Sequence, residues 1–223
     1  MEDLYYHFSI DSNTPDRGVE HSGHTTGKQV PVSRVELNKS GWHGSRRAID
    51  ATLYMHSTVL SIRHLSGDVQ GTRTRNVASE CSVVCVKDVS DVLLRYMLWC
   101  GEYASRLTGI DAFKPAIEVK KKYLDGIMTA NNVEQAYRQC SINMSERQVP
   151  SDLNEIKQEA LFLRVMPIAI NSEKRNARSI VRAVELTALL AVASGDMKEH
   201  DDAYGALDYM LSNMLLDYCG ICR

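Results

Sequence analysis

The run of residues 90–107, SDVLLRYMLWCGEYASRL, constrains the fold of this 223-residue chain more than any other feature. Drawn as an α-helix, it is apolar almost all round, and Arg95, Glu102 and Arg106 fall within one narrow arc. A helix with so small a polar face must pack against neighbours on nearly every side. The pattern therefore predicts a central helix inside a helical domain.

Further helical patterns follow this run. They cover residues 113–128, 131–144, 150–166, 172–194 and 201–220. Pro115 suits a first helical turn, Pro167 marks an end or a kink, Gly195 follows the pattern at 172–194, and Gly220 closes the last pattern. Because the connections are short, the sequence predicts a six-helix bundle over residues 88–223.

The first 87 residues have a different character. Residues 11–48 are crowded with Gly, Ser, Thr, Asn and charged side chains, which leave little to bury. Short β-prone runs at 4–10, 30–37 and 81–87 predict strands. Residues 45–65 predict a helix, with Ser45 as its N-cap and Gly67 as a stop. The predicted fold is mainly α: a loop-rich segment with short strands and one helix (1–87), then the bundle (88–223).

Composition limits the functional classes. The chain carries 26 Lys and Arg against 28 Asp and Glu, so any contact with nucleic acid must come from a local patch. The N-terminus, MEDLYYHFSID, has no long apolar run, and the most apolar window, residues 184–195, falls well short of the roughly twenty residues that span a bilayer. We therefore expect an intracellular protein, cytoplasmic or nuclear, with reduced cysteines and no transmembrane segment.

The stretch EHSGHTTGKQV, residues 20–30, resembles two known kinds of site without meeting the requirements of either. A phosphate-binding loop needs a glycine where Ser22 stands and a hydroxyl where Gln29 stands. His21 and His24 have metal-ligand spacing, but this Gly/Thr-rich segment offers no support to fix them. Solvated histidines in a flexible contact arm are the favoured interpretation.

The cysteines offer a second possible metal site. Cys81 and Cys85 lie in a β-prone run, and Cys219 and Cys222 end the chain. If the C-terminus returned to that run, four thiolates could bind zinc. The spacing lacks a CxxC…CxxC pattern, so unligated thiols are the favoured interpretation, and no metal or cofactor is predicted. A redox role for CGIC is disfavoured because the pair follows a helix, whose dipole disfavours thiolate at that end.

The most specific feature is a basic ridge formed by Lys174, Arg175, Arg178 and Arg182. With Arg175 at 0°, Arg178 and Arg182 fall at about 300° and 340°, so three guanidiniums share one helix face. They oppose the helix dipole by about 0.3–1 kcal/mol each, which an anion could offset. Additional basic residues are Lys120, Lys121, Lys122, Arg46 and Arg47. The alternative is a solvated surface paired with carboxylates such as Glu173 and Glu185.

No nucleophile motif, zinc-protease motif or dinucleotide-binding turn is present in the sequence. The sequence therefore favours a non-enzymatic interaction or assembly protein of nucleocapsid, matrix or adaptor type, whose basic ridge contacts RNA or an anionic membrane surface. Its expected partners are further copies of itself or other proteins. One alternative is a helical module that sequesters a partner helix in an apolar groove. A further alternative is an enzyme whose site cannot be recognised in the sequence.

Overall fold

The chain forms two compact units in a computed structural model. The structure describes residues 3–8, 26–29, 31–37, 40–55, 57–146, 152–173, 177, 181, 184–185 and 197–222. The first unit comprises Met1–Ser90 and Asp208–Arg223, and the second comprises Asp91–Leu207. The final residues thus group with the N-terminal unit, whereas the sequence pattern assigns them to the helical part.

The first unit is built on an antiparallel sheet of five strands. The strands are β1 (Tyr5–Phe8), β2 (Gly27–Lys28), β3 (Trp42–Gly44), β4 (Val59–Gly71) and β5 (Asn76–Asp88). Their order is β1-β4-β5-β2, and β3 also pairs with β5. The two 13-residue strands form one long hairpin, so β4 and β5 are the scaffold on which the short strands lie.

The sheet curls back on itself. β3 pairs with β5 through Trp42 opposite Ala78, and the residue after β3, Ser45, bridges to Tyr6 of β1. Both backbone hydrogen bonds of that bridge form, at 2.8 and 2.9 Å. The β3 segment therefore joins β1 to β5, which gives the sheet an inner and an outer face.

This sheet shows that the predicted mainly α fold with a six-helix bundle is wrong. The predicted helix over residues 45–65 is also wrong, because only α1 (Ala48–Thr52) is helical and β4 starts at Val59. Leu60 and Ile62 alternate with Ser61 and Arg63, which is a strand period, and all four side chains are buried. No strand is found among the described residues of the predicted strand at 30–37. The only strand-like feature there is an isolated bridge between Glu36 and Ser40. The runs at 4–10 and 81–87 contribute to β1 and β5.

The long helical patterns are confirmed where the structure describes them. The helices are α2 (Ser90–Thr108), α3 (Lys114–Leu124), α4 (Ala130–Ser145), α5 (Leu153–Asn171) and α6 (Met197–Cys219). Pro167 lies inside α5 instead of ending it. Of the predicted helix at 172–194, the residues described as helical are Ala177, Val181, Val184 and Glu185, and all four are buried.

The core of the second unit surrounds α2. Leu98 and Ala104 of α2 pack in one cluster with Phe113, Ile117 and Phe162. The predicted narrow polar face of α2 is confirmed as solvent-accessible, since Arg95 and Glu102 are half-buried and Arg106 is exposed. Thr129, the N-cap of α4, forms a capping box with Asn132, which satisfies donors at the start of the helix. Within the described residues, no helix is both long and apolar enough to cross a membrane.

Candidate interaction groove

The basic ridge, Lys174, Arg175, Arg178 and Arg182, lies outside the described residues, as do His21 and His24. The structure does place the other predicted basic residues. It also defines a groove on the outer face of the sheet that the sequence pattern does not reveal.

The three lysines of α3 have three different environments. Lys120 is buried, and its ammonium donates to the carbonyl oxygen of Ser172 at 2.8 Å. Burial lowers the pKa of Lys120. Lys121 pairs with Glu102 at 2.5 Å and with Glu118 at 3.0 Å. Lys122 is exposed. Lys120 and Lys121 therefore stabilise the second unit internally and do not form one anion-binding surface with Lys122.

Arg46 and Arg47 are likewise engaged within the first unit. Arg46 lies 3.3 Å from the Asp3 carboxylate and donates to the Tyr5 hydroxyl at 3.2 Å. Arg47 lies 3.9 Å from Asp50 and 3.7 Å from Asp208. Each arginine thus faces a carboxylate, as expected for a solvated or structural ion pair.

A β-bulge in β5 determines which of its side chains lie on the inner face of the sheet and which lie on the outer face. Ile62 of β4 pairs with Cys85, and the next residue, Arg63, pairs with Val83. Val84 is therefore an extra residue in β5 that has no paired residue in β4. The alternation along β5 therefore shifts by one position at Val84. As a result, Cys81 and Cys85 point to opposite faces although they are four residues apart.

The inner face carries a small apolar cluster with a buried arginine. Trp42, Cys81 and Val83 pack together, with Leu65 and Val86 against them. Arg63 lies on this face, and its guanidinium donates to the carbonyl oxygen of His43 at 3.0 Å and to the Ser61 hydroxyl. Burial raises the pKa of the Cys81 thiol to about 11, although Arg63 partly opposes the shift. This thiol stays protonated at neutral pH.

The outer face is polar along the distal half of the hairpin. Lys28 and His64 both lie opposite Ser82, so these three residues form one row across three strands. Ser66 lies opposite Glu80 in the next row, and its hydroxyl donates to the Glu80 carboxylate at 3.2 Å. Directly opposed residues of antiparallel strands share a face. The five side chains therefore form a continuous polar surface.

This surface belongs to a groove of about 810 Å³ within the first unit. Asp3, Tyr5, Gln29 and Pro31 also line it, together with Leu65 and Cys81 of the hairpin. A ring nitrogen of His64, Nδ1, lies 3.3 Å from the carbonyl oxygen of Asp3. The groove carries the Lys28 ammonium and the His64 imidazole together with the carboxylates of Asp3 and Glu80, so it is not a basic surface.

A smaller cleft of about 330 Å³ lies in the second unit. Its lining consists of Trp99, Glu102, Arg106, Lys114 and Glu118. The Trp99 ring stacks on Tyr103 with centroids 5.1 Å apart, and Lys114 lies 2.8 Å from Asp111. Because Trp99 and Lys114 are already engaged by neighbouring side chains, this cleft is the weaker candidate.

The structure brings together only part of the predicted cysteine site. Cys85 lies on the same face of β5 as Lys87, whose ammonium donates to the carbonyl oxygen of Tyr218 next to Cys219, whereas Cys81 lies on the inner face. Cys222 is exposed. No group of three or more metal-binding side chains occurs among the described residues. The thiols of all six cysteines are free.

Sequence patterns did not reveal the groove because its residues are dispersed. Asp3, Lys28, His64 and Glu80 come from four separate parts of the chain. One sequence signal could have indicated the groove. Polar residues alternate along both strands, at His64 and Ser66 in β4 and at Glu80 and Ser82 in β5, but this alternation has a meaning only once both runs are recognised as strands.

Comparisons with protein-family models, with characterised proteins and with solved structures found no match to this chain. The functional interpretation therefore rests on the geometry of the chain itself.

Proposed function

We propose that this chain is a non-enzymatic interaction and assembly protein, and that its outer-face groove binds an extended segment of a protein partner. The observation that supports this proposal is the groove of about 810 Å³ over the row formed by Lys28, Ser82 and His64. Its size lies within the roughly 300–1,000 Å³ range of binding sites. We expect the partner to be a second copy of the chain in the first instance.

The charge of the groove favours a polypeptide over an anionic polymer. Asp3 and Glu80 line it together with Lys28 and His64. A phosphate backbone or an anionic lipid surface would meet two carboxylates, which repel it. A polypeptide can instead present side chains of both signs to this mixed surface.

The strand architecture favours an extended segment over a helix. The row formed by Lys28, Ser82 and His64 crosses three strands of the sheet. An extended segment that lies over this row would present alternate side chains to it, which gives specificity. The apolar face of an amphipathic helix would instead lie on Ser66, Glu80 and Ser82, which are polar. This argument disfavours the helix-sequestering alternative.

Two sequence predictions stay open beside this proposal. The RNA or membrane contact of the basic ridge concerns residues outside the described ranges, and the groove does not depend on it. The enzyme alternative would use His64, Ser66, Ser82 and Glu80, which share one face of the sheet. Ser66 donates to Glu80 on an exposed surface, however, where neither group is desolvated for catalysis.

The test is purification without nuclease, followed by light-scattering mass and the ratio of absorbance at 260 and 280 nm. We expect a mass above that of the 25.0 kDa monomer, with a ratio typical of protein. Lys28→Glu should lower the mass, because it places a third carboxylate in the groove. Lys122→Glu, on an exposed site of α3, is the matched control and should leave the mass unchanged.

A monomeric wild-type chain would contradict self-association. An unchanged mass in Lys28→Glu would contradict the groove as its location. An absorbance ratio typical of nucleic acid, abolished by Arg175/Arg178/Arg182→Glu, would favour the basic ridge as the main contact instead.

A further inference from the structure

The distal half of β4 and the turn that follows it are exposed throughout. Every residue from 66 to 73 is exposed, whereas Val77 and Ala78, on the facing part of β5, are buried. On its other side, β4 pairs with β1 only over residues 60–63. Among the described residues, no strand pairs with this side of β4 beyond Arg63. The distal half of β4 is therefore an open sheet edge.

The hydrogen bonding of the hairpin determines which main-chain groups of this edge face outward. The N–H of Thr72 donates to the carbonyl oxygen of Arg75 at 2.7 Å, so these two residues are the hydrogen-bonded pair that closes the hairpin. Bonded and non-bonded pairs alternate along antiparallel strands. Gln70 is therefore bonded to β5, and the main-chain groups of Val69 and Gly71 point away from it.

Two opposite charges flank the outward-facing positions. Asp68 directly precedes Val69, and Arg73 lies two residues after Gly71. Within the part of the chain that the structure describes, neither charged side chain forms an ion pair. Five residues of extended chain separate them by roughly 16 Å, so they do not pair within one molecule. The edge thus carries an acid and a base that are complementary to a second copy of the same edge.

Contacts with Tyr54 hold the turn that presents Arg73. The hydroxyl groups of Tyr54 and Thr74 lie 3.0 Å apart, and the Arg75 guanidinium lies 4.7 Å from the centre of the Tyr54 ring. Arg73 stands between these anchored positions and is exposed. An already ordered turn reduces the entropy that is lost on association.

We propose that this open edge is a self-association surface, to which β4 of a second copy adds as an antiparallel strand about a two-fold axis at Gln70. In this register Val69 of each copy lies opposite Gly71 of the other, so both outward-facing positions are hydrogen-bonded. Asp68 of each copy then lies beside Arg73 of the other. The main-chain bonds give affinity, and the two ion pairs fix the register.

This edge is separate from the groove. The groove extends along the hairpin only to Ser66 on β4 and Glu80 on β5, whereas the edge contact uses residues 68–73. The two surfaces can therefore be occupied together and can be tested one at a time. A chain that uses both can form an assembly larger than a dimer.

Sedimentation equilibrium of Lys28→Glu, in which the groove contact is disabled, tests the edge alone. We expect a mass that rises with protein concentration from 25.0 kDa toward twice that value. In the same background, Val69→Pro removes an outward N–H and no hydrogen bond to β5, so the chain should fold and stay monomeric. Val69→Thr keeps the N–H and is the matched control, which should still dimerise.

Exchange of the two charges tests the register. In the Lys28→Glu background, Asp68→Arg and Arg73→Asp should each raise the dissociation constant of the dimer about tenfold or more, because like charges then face each other. An equimolar mixture of the two should recover the original constant, since both ion pairs of the mixed dimer again join opposite charges.

Three results would each overturn the edge contact: a Lys28→Glu chain that is monomeric at every concentration, a Val69→Pro variant that still dimerises, or a mixture no tighter than the single charge variants. The groove has its own test, the fall in mass from the wild type to Lys28→Glu. Failure of one surface is therefore distinguishable from failure of the other.

Discussion

The Arg63 guanidinium lies 5.6 Å from the centre of the Trp42 ring, on the inner face of the curled sheet. The same guanidinium donates to the carbonyl oxygen of His43, the residue after Trp42. A single side chain of β4 therefore contacts two consecutive residues of β3, although β3 and β4 do not pair with each other in the sheet. This contact links the long hairpin to the segment that closes the sheet.

Replacing Arg63 should destabilise the first unit. Arg63→Met keeps an apolar stem but leaves the buried His43 carbonyl without its charged donor, which we expect to cost about 2–3 kcal/mol. Arg73→Met is the control, since Arg73 is exposed near the turn of the hairpin, and its effect should stay under about 0.5 kcal/mol. Urea denaturation measures both. Equal losses would show that Arg63 does not anchor β3.

Two glycines with similar backbone angles allow the energetic cost of close packing to be distinguished from the cost of backbone strain. Gly41 and Gly27 have φ values of +114° and +110°. A Cβ at Gly41 would lie 2.5 Å from Cγ2 of Val77, whereas at Gly27 no described atom lies within 4 Å. Alanine should cost about 1–2 kcal/mol at Gly27 from the left-handed backbone alone. Overpacking should add about 1–3 kcal/mol at Gly41.

Denaturant midpoints of the two alanine variants give this difference directly. A Gly41→Ala variant no less stable than Gly27→Ala would contradict the close approach of residue 41 to β5.

The buried lysine of α3 should matter far more than its neighbour. Lys120→Ala removes the donor to the Ser172 carbonyl and should cost about 1–3 kcal/mol. Lys122→Ala, on an exposed site two residues away, should cost less than about 0.5 kcal/mol. Thermal or urea unfolding compares them. Similar costs for the two variants would mean that the Lys120–Ser172 contact is not stabilising.

The thiol of Cys219 gives a pH dependence with a definite sign. Burial, with the hydrogen bond to Cys85, raises its pKa from 9.0 to about 12. Between about pH 9 and 12 the unfolded chain loses this proton and the folded chain keeps it, so the contribution to stability is complete below pH 9 and is lost as pH rises to 12. Cys219→Ser should lose less stability over that window.

Alkylation kinetics provide a second measurement of the same pKa. Because the thiolate is the nucleophile, the rate at Cys219 should rise about tenfold per pH unit and show no plateau up to pH 10. A plateau near pH 9 would indicate an unperturbed, solvated thiol.

The sequence predicts the long helices well and the sheet poorly, for a physical reason. Helices such as α2 carry their signal in neighbouring turns, so residues 90–107 suffice to predict Ser90–Thr108. In β4, Ser61 and Arg63 are polar but buried, which hides the alternation that would have indicated a strand. Only pairing with β5 selects the strand, and that pairing is a tertiary interaction.

The assignment of the β5 side chains to the two faces of the sheet was unpredictable for a related reason. It depends on the bulge at Val84, where one extra residue reverses the alternation of β5. The pattern of residues 81–87 alone would place Cys81 and Cys85 on one face, as a zinc site with Cys219 and Cys222 would require. The register with β4 places Cys81 and Cys85 on opposite faces.

Photo-cross-linking from the floor of the groove tests the central claim most directly. A photoreactive benzoylphenylalanine replaces Ser82, which lies between Lys28 and His64, and a second variant carries it at exposed Asn143 of α4 as the control. After irradiation of the assembled protein, mass spectrometry identifies the adducts. The proposed function predicts a polypeptide adduct from position 82, with a second copy of the chain as its expected source, and none from position 143. Equal adducts from both positions, or adducts from position 82 to nucleic acid alone, would contradict it.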